Sequence, residues 1–65
     1  MNINYQDKDT ATDAKTVAAF LESRGVNTGE IVAEYNGEIL SGEDAFAVAL
    51  EEGARLNVFR IVAGG

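Results

Sequence analysis

The fold of this chain is decided by its C-terminal stretch, which reads Leu56-Asn57-Val58-Phe59-Arg60-Ile61-Val62-Ala63-Gly64-Gly65. Apolar residues occupy both alternating sets of positions between residues 56 and 62, so neither face of this segment is wholly polar. That pattern is typical of a strand in the middle of a sheet, where something covers part of each face. The sequence therefore predicts a central strand over residues 56–62, and residues 63–65 are expected to leave the sheet as a flexible tail.

The segment that precedes this strand predicts a tight hairpin. Residues 31–35 are strand-like and run into Asn36-Gly37, the dipeptide best suited to a type I′ turn. Residues 38–40 form the return strand. Because type I′ turns match the twist of antiparallel strands, we expect these two strands to pair directly.

A short second helix is predicted between this hairpin and the last strand. Ser41-Gly42-Glu43-Asp44 matches the S-x-x-D pattern, in which a serine side chain caps the start of a helix. Phe46 and Leu50 follow at i and i+4, a spacing that places both on one helical ridge. Gly53 is expected to end this helix.

The N-terminal segment predicts another strand pair. Residues 2–6 alternate polar and apolar, which places Ile3 and Tyr5 on one buried face. Asp7-Lys8 is expected to turn the chain. Residues 9–12 are β-branched at alternate positions and form the second strand of this hairpin.

The main helix is predicted to begin near Asp13. Either Asp13 or Thr12 can act as its N-cap, and Gly25 is expected to stop it. The residues at i, i+3 and i+4 that form its apolar stripe are Val17, Phe20 and Leu21.

Composition excludes most enzyme mechanisms and several classes of partner. The 65 residues include no cysteine and no histidine, so thiolate chemistry and the commonest general base are missing. The net charge of −6 opposes binding to a nucleic acid backbone. The acidic residues lack the spacing of a calcium loop, so no metal site is expected. Without an apolar run long enough for a membrane span or a signal peptide, we expect a protein of the cytoplasm. We expect a monomer because the C-terminal tail must be free.

The order of the predicted elements resembles the ubiquitin-like β-grasp fold, an α+β arrangement. In it a mixed sheet of four to five strands wraps one main helix, with a short second helix and a flexible Gly-Gly tail. Three stretches resemble ThiS-type thiamin sulfur carriers: Thr16-Val17-Ala18 with Phe20-Leu21, Asn36-Gly37-Glu38-Ile39-Leu40, and Arg60-Ile61-Val62-Ala63-Gly64-Gly65. The resemblance covers residues 1–65 as a single domain. Ser41-Gly42 and Ala54 depart from common family residues at positions that bear no chemistry.

The resemblance implies a protein that carries sulfur and does not itself catalyse a reaction. A ThiF-like enzyme would use ATP to adenylate the carboxylate of Gly65, and a persulfide donor would convert it to a thiocarboxylate. Gly64 and Ala63 would thread into the enzyme, where the absence of a Cβ at glycine helps passage. A ThiG-like thiazole synthase would accept the sulfur. The chain has no phosphate-binding loop, so we expect no bound cofactor and place ATP on the partner.

The last strand also predicts a docking surface. If Leu56 and Val58 face the helix, Phe59 and Ile61 lie on the outer face, where exposed apolar side chains can mark a binding site. The alternative is a minor core in which Tyr35, Ile39 or the second helix covers them. Arg60 either pairs with acidic groups of a partner or is a solvated strand charge.

Three other functions remain open at this stage. A molybdopterin sulfur carrier of the MoaD type shares the Gly-Gly tail. A ubiquitin-like modifier would join the same tail to lysines. An interaction domain would keep the fold without activating the tail.

Overall fold

A five-stranded mixed sheet forms the frame of the protein, in a computed structural model that describes residues 1–61. The strands are β1 (Asn2–Tyr5), β2 (Lys8–Ala11), β3 (Ile31–Tyr35), β4 (Glu38–Ser41) and β5 (Arg55–Arg60). They lie in the order β2-β1-β5-β3-β4, with β1 parallel to β5 and the other neighbours antiparallel. The terminal strand is therefore central, as predicted, and the α+β β-grasp arrangement is confirmed.

One α-helix, α1 (Val17–Ser23), packs against one face of this sheet. The predicted stripe is buried in full: Val17, Phe20 and Leu21 are each at most 1% exposed. From the sheet, Ile3 and Leu56 are the most deeply buried large side chains beside them. Tyr5 faces the same way and meets the Phe20 ring edge to face, with centroids 4.9 Å apart. The core thus lies between the helix and one face of the sheet.

The prediction that Asp13 or Thr12 caps the helix is wrong, because the helix begins later. Thr16 is the N-cap, and its side chain accepts a hydrogen bond from the backbone N–H of Ala19 at 3.0 Å. Thr12 instead accepts from the N–H of Ala14. Just before Thr16, the carbonyl of Lys15 accepts a hydrogen bond from the backbone N–H of Leu50 at 2.9 Å. This long-range pairing, invisible in local sequence, prevents an earlier start.

Gly25 ends the helix as predicted. It has a φ of +75°, and its N–H bonds to the carbonyl of Glu22 while the N–H of Val26 bonds to that of Leu21. These two bonds form a Schellman motif, which favours glycine at the left-handed position.

The second helix is a short 3-10 helix at Glu43–Ala47, and two details of the prediction are wrong. Ser41 ends β4, and Gly42 occupies the N-cap with no side-chain hydrogen bond. Leu50 is buried but lies beyond the helix, because Ala49 forms a bridge with Thr16 and requires an extended backbone there.

Two further boundaries differ from the prediction. Gly53 has a φ of +77° and lies in the turn before β5, so it does not end the second helix. Tyr5 pairs with Lys8, which moves the first turn to Gln6-Asp7, where both residues have positive φ. The second turn is at Asn36-Gly37, as predicted, again with positive φ at both residues. The first 3-10 helix in chain order, Thr28–Glu30, leads into β3, and Glu43–Ala47 is the second 3-10 helix.

Candidate functional site

The last strand presents different chemistry on its two faces. Leu56 is fully buried, and Val58 packs partly against the core. Phe59 is 55% exposed and Ile61 is 52% exposed, so both lie on the outer face. The predicted direction of these side chains is confirmed, and the alternative of a minor core beneath Tyr35, Ile39 or the second helix is wrong.

Two neighbouring strands extend this apolar surface. Val32 of β3 is directly opposite Phe59 in the ladder, on the face away from the buried Ile31 and Ala33. Ile39 of β4 is 63% exposed and lies opposite Glu34. We call the surface formed by Val32, Ile39, Phe59 and Ile61 the outer-face patch.

Ile39 is a member of this patch that the sequence analysis names only as a possible cover for Phe59, in the alternative to docking. It is the most exposed large apolar side chain in the described residues. Its neighbour Leu40 is 7% exposed, so strand alternation alone places Ile39 outward. That signal was present in the sequence.

One acidic group lies on the face of the patch. Glu34 pairs with Ile39, and its carboxylate accepts a hydrogen bond from the side-chain amide of Asn57 at 3.4 Å. Two other charged residues, Glu38 and Arg60, are exposed but pair with Tyr35 and Ile31, so they belong to the helix side of the sheet. An apolar surface with a carboxylate beside it suits a partner face that combines apolar and basic side chains.

The residue that follows β5, Ile61, is held in place beside this patch by its backbone. The backbone N–H of Ile61 donates to the carbonyl of Glu30 at 3.0 Å. Glu30 belongs to the 3-10 helix at Thr28–Glu30, whose N-cap Asn27 accepts from the N–H of Gly29. The predicted tail residues Ala63, Gly64 and Gly65, with Val62, lie outside the described residues.

An open polar groove lies elsewhere on the sheet, at the start of β1 and β5. Asn2, Asn4, Asp9, Glu52 and Arg55 are among its lining residues. The Glu52 carboxylate accepts from the backbone N–H of Asn2 at 3.1 and 3.2 Å, which ties the turn before β5 to β1. This carboxylate therefore has a structural role.

Residues 1–61 hold no group of three or more acidic, histidine or cysteine side chains arranged to bind a metal ion. Over the same range, none of the helices has the length and apolar character that crossing a membrane requires.

Comparison with known proteins decides the family. The ThiS family model matches residues 2–65, which is nearly the whole chain and includes the Gly-Gly end. The chain belongs to the ThiS family. Among solved structures, it is similar to a thiamine biosynthesis protein (ThiS) from Geobacter metallireducens, with 26% identity, a TM-score of 0.78 and complete coverage of both chains. No curated protein sequence matches it significantly.

The family assignment confirms the resemblance seen in the sequence, and the likeness in structure spans the same elements. In this ThiS-family chain, the central β5 leads directly to the Gly-Gly end. The outer-face patch lies on the same strand, at Phe59, and continues at Ile61. A partner that binds the patch would therefore hold the root of the tail.

Proposed function

We propose that this protein is a sulfur carrier for thiamin biosynthesis and that the carboxylate of Gly65 is the group that carries the sulfur. The observation that supports this most strongly is the family match, which extends to Gly65. The fold adds that the strand leading to this terminus is the central one and is held on both sides. A cytoplasmic, monomeric carrier without a bound cofactor is part of the proposal.

The chemistry starts from a poor electrophile. A carboxylate oxygen of Gly65 attacks the α-phosphorus of ATP, pyrophosphate leaves, and an acyl-adenylate forms. The terminal sulfur of a persulfide then bonds to the acyl carbon while AMP leaves. A thiol cleaves the resulting S–S bond, which releases the thiocarboxylate on Gly65 and leaves a disulfide. The persulfide and the thiol come from partners, because this chain has no cysteine. ATP is bound by the activating partner, because this chain has no phosphate-binding loop.

Two partner enzymes follow from this assignment. A ThiF-like enzyme binds ATP and performs the adenylation. A ThiG-like thiazole synthase takes the sulfur from the thiocarboxylate. The reacting group of the carrier in both reactions is its Gly65 terminus. Neither reaction requires a side-chain base or a side-chain nucleophile from the carrier, and the chain has no histidine or cysteine to supply one.

Intact mass measurement tests the proposal directly. The protein is incubated with ATP, a persulfide donor and a ThiF-like enzyme from the same source, then fragmented to locate any change. We expect one oxygen of Gly65 to be replaced by sulfur. An unchanged mass with demonstrably active enzymes would contradict the proposed carrier function. An isopeptide adduct to lysine would show that the protein is a modifier instead. Sulfur transfer from the loaded carrier to a thiazole synthase separates the thiamin pathway from that of molybdopterin.

We propose that the outer-face patch docks on the adenylating enzyme. Replacing both Phe59 and Ile61 with alanine should raise the KM for the carrier by roughly tenfold or more, because about half of each large apolar side chain is available for burial. The kcat should stay near its original value. Steady-state adenylation kinetics at varied carrier concentration would measure both constants.

A matched control is Val48→Ala. Val48 is 39% exposed but lies in the segment after the second 3-10 helix, away from the patch. We expect this variant to keep the original KM. Equal constants for the double variant and the control would show that the patch is not the docking surface.

A further inference from the structure

The two strands that flank β5 cover different lengths of it. β3 pairs with β5 from Tyr35↔Leu56 to Ile31↔Arg60. β1 pairs with it only at Asn4↔Arg55 and Tyr5↔Leu56, because the chain then turns away at Gln6. The later part of β5 therefore has no strand on its β1 side within the described residues.

The side chain of Gln6 fills the next position of this ladder. Its Oε1 accepts a hydrogen bond from the backbone N–H of Val58 at 2.9 Å, and its Nε2 donates to the Val58 carbonyl at 3.2 Å. The backbone N–H of Gln6 donates to the carbonyl of Leu56 at 3.0 Å. One amide side chain thus satisfies both backbone groups of Val58, as a paired strand residue would.

The turn itself does not favour glutamine at this position. Gln6 has a φ of +51°, in the left-handed region where asparagine and glycine are the preferred residues. The other hairpin has Asn36-Gly37 at the equivalent positions. The pair of hydrogen bonds to the Val58 backbone accounts for glutamine, whose side chain is longer than that of asparagine, at residue 6. A residue kept in a less favourable backbone region is a reason to look for a role.

We infer that Gln6 is a positioning residue, which holds β5 from the β1 side so that the chain leaves the sheet at Ile61 in a fixed direction. Glu30 holds the chain on the opposite side through the N–H of Ile61. The inference rests on the proposed function, because direction matters when the terminus must reach an enzyme's nucleotide.

The length of the tail makes this direction important. Four residues follow Ile61, and fully extended they reach about 13 Å. A small tilt at the root moves the far end by roughly an ångström, and a misplacement of that size costs up to about a hundredfold in rate. Docking through the outer-face patch is unaffected, since Gln6 is not part of it. A loss of Gln6 should therefore lower kcat and spare the KM.

Gln6→Gly and Asp7→Gly form a matched pair for the test. Both replace a positive-φ residue of the same turn with glycine, so both relax the backbone in the same way. Only Gln6→Gly removes the amide. Hydrogen exchange at the Val58 amide, followed by NMR, should become roughly fivefold faster in Gln6→Gly and stay unchanged in Asp7→Gly.

The functional readout is loading by the ThiF-like enzyme. We expect Gln6→Gly to lower kcat by roughly tenfold with an unchanged KM for the carrier, and Asp7→Gly to match the original protein. Equal kcat values for the two variants would overturn the inference while leaving the carrier function intact. Failure of the original protein to load would overturn the proposed function, and the inference with it, so the two failures are distinguishable.

Discussion

Replacing Gly64 with valine is expected to abolish sulfur loading at Gly65 while leaving the folded domain intact. Glycine has no Cβ and adopts backbone conformations closed to other residues, whereas valine is branched at Cβ and restricts its own backbone. A terminus that must enter a narrow enzyme channel and align with a nucleotide tolerates neither the added side-chain bulk nor the loss of backbone freedom. We expect the loading rate to fall by about a hundredfold or more. Mass analysis of the products at fixed times would measure it.

The control for this variant is Ala19→Val, which adds the same branched side chain at an exposed position of α1. We expect it to load at the original rate. Circular dichroism should show the same fold for both proteins. If Gly64→Val loaded as fast as the control, the requirement for a slender tail would be wrong.

Replacing Phe46 with alanine is expected to remove a large part of the free energy of unfolding. Phe46 is 0% exposed, and its 3-10 helix packs against both α1 and β4. Truncation of a buried phenylalanine costs about 3–5 kcal/mol of the free energy of unfolding. A domain of this size has only about 3–10 kcal/mol in total. Urea denaturation followed by circular dichroism would measure the loss.

Phe59→Ala is the matched control, because it removes the same side chain from the outer face. Phe59 is 55% exposed, so we expect a change in the free energy of unfolding within about 0.5 kcal/mol. Similar losses for the two variants would mean that Phe59 is part of the core, and would remove the argument for a docking patch.

Local patterns were enough for the elements whose partners are close in sequence. The tight turn at Asn36-Gly37 and the helix stop at Gly25 depend on backbone conformations that these residue types favour. The direction of Phe59 followed from strand alternation once Leu56 was assigned to the core. Strand alternation also places Ile39 outward, and only the alternative to docking gave it the role of a cover.

Long-range pairing explains the boundaries that were wrong. The start of α1 and the end of the second 3-10 helix both depend on the bridge between Thr16 and Ala49, which joins segments far apart in the chain. A capping pattern at Ser41 could not reveal that this residue would be used by β4. Propensity is a weak signal wherever tertiary pairing competes with it.

For this protein, the sequence by itself determined the fold class, the central last strand, the outward direction of Phe59 and the family. These depend on periodicity, on favoured turn residues and on the order of elements, all of which can be recognised without knowing which segments pair in the folded chain. Only the tertiary structure decided that Ile39 extends the apolar patch and that Gln6 completes the ladder beside Val58. Both depend on which strands become neighbours and in which register, and the energy of that choice is distributed over the whole core.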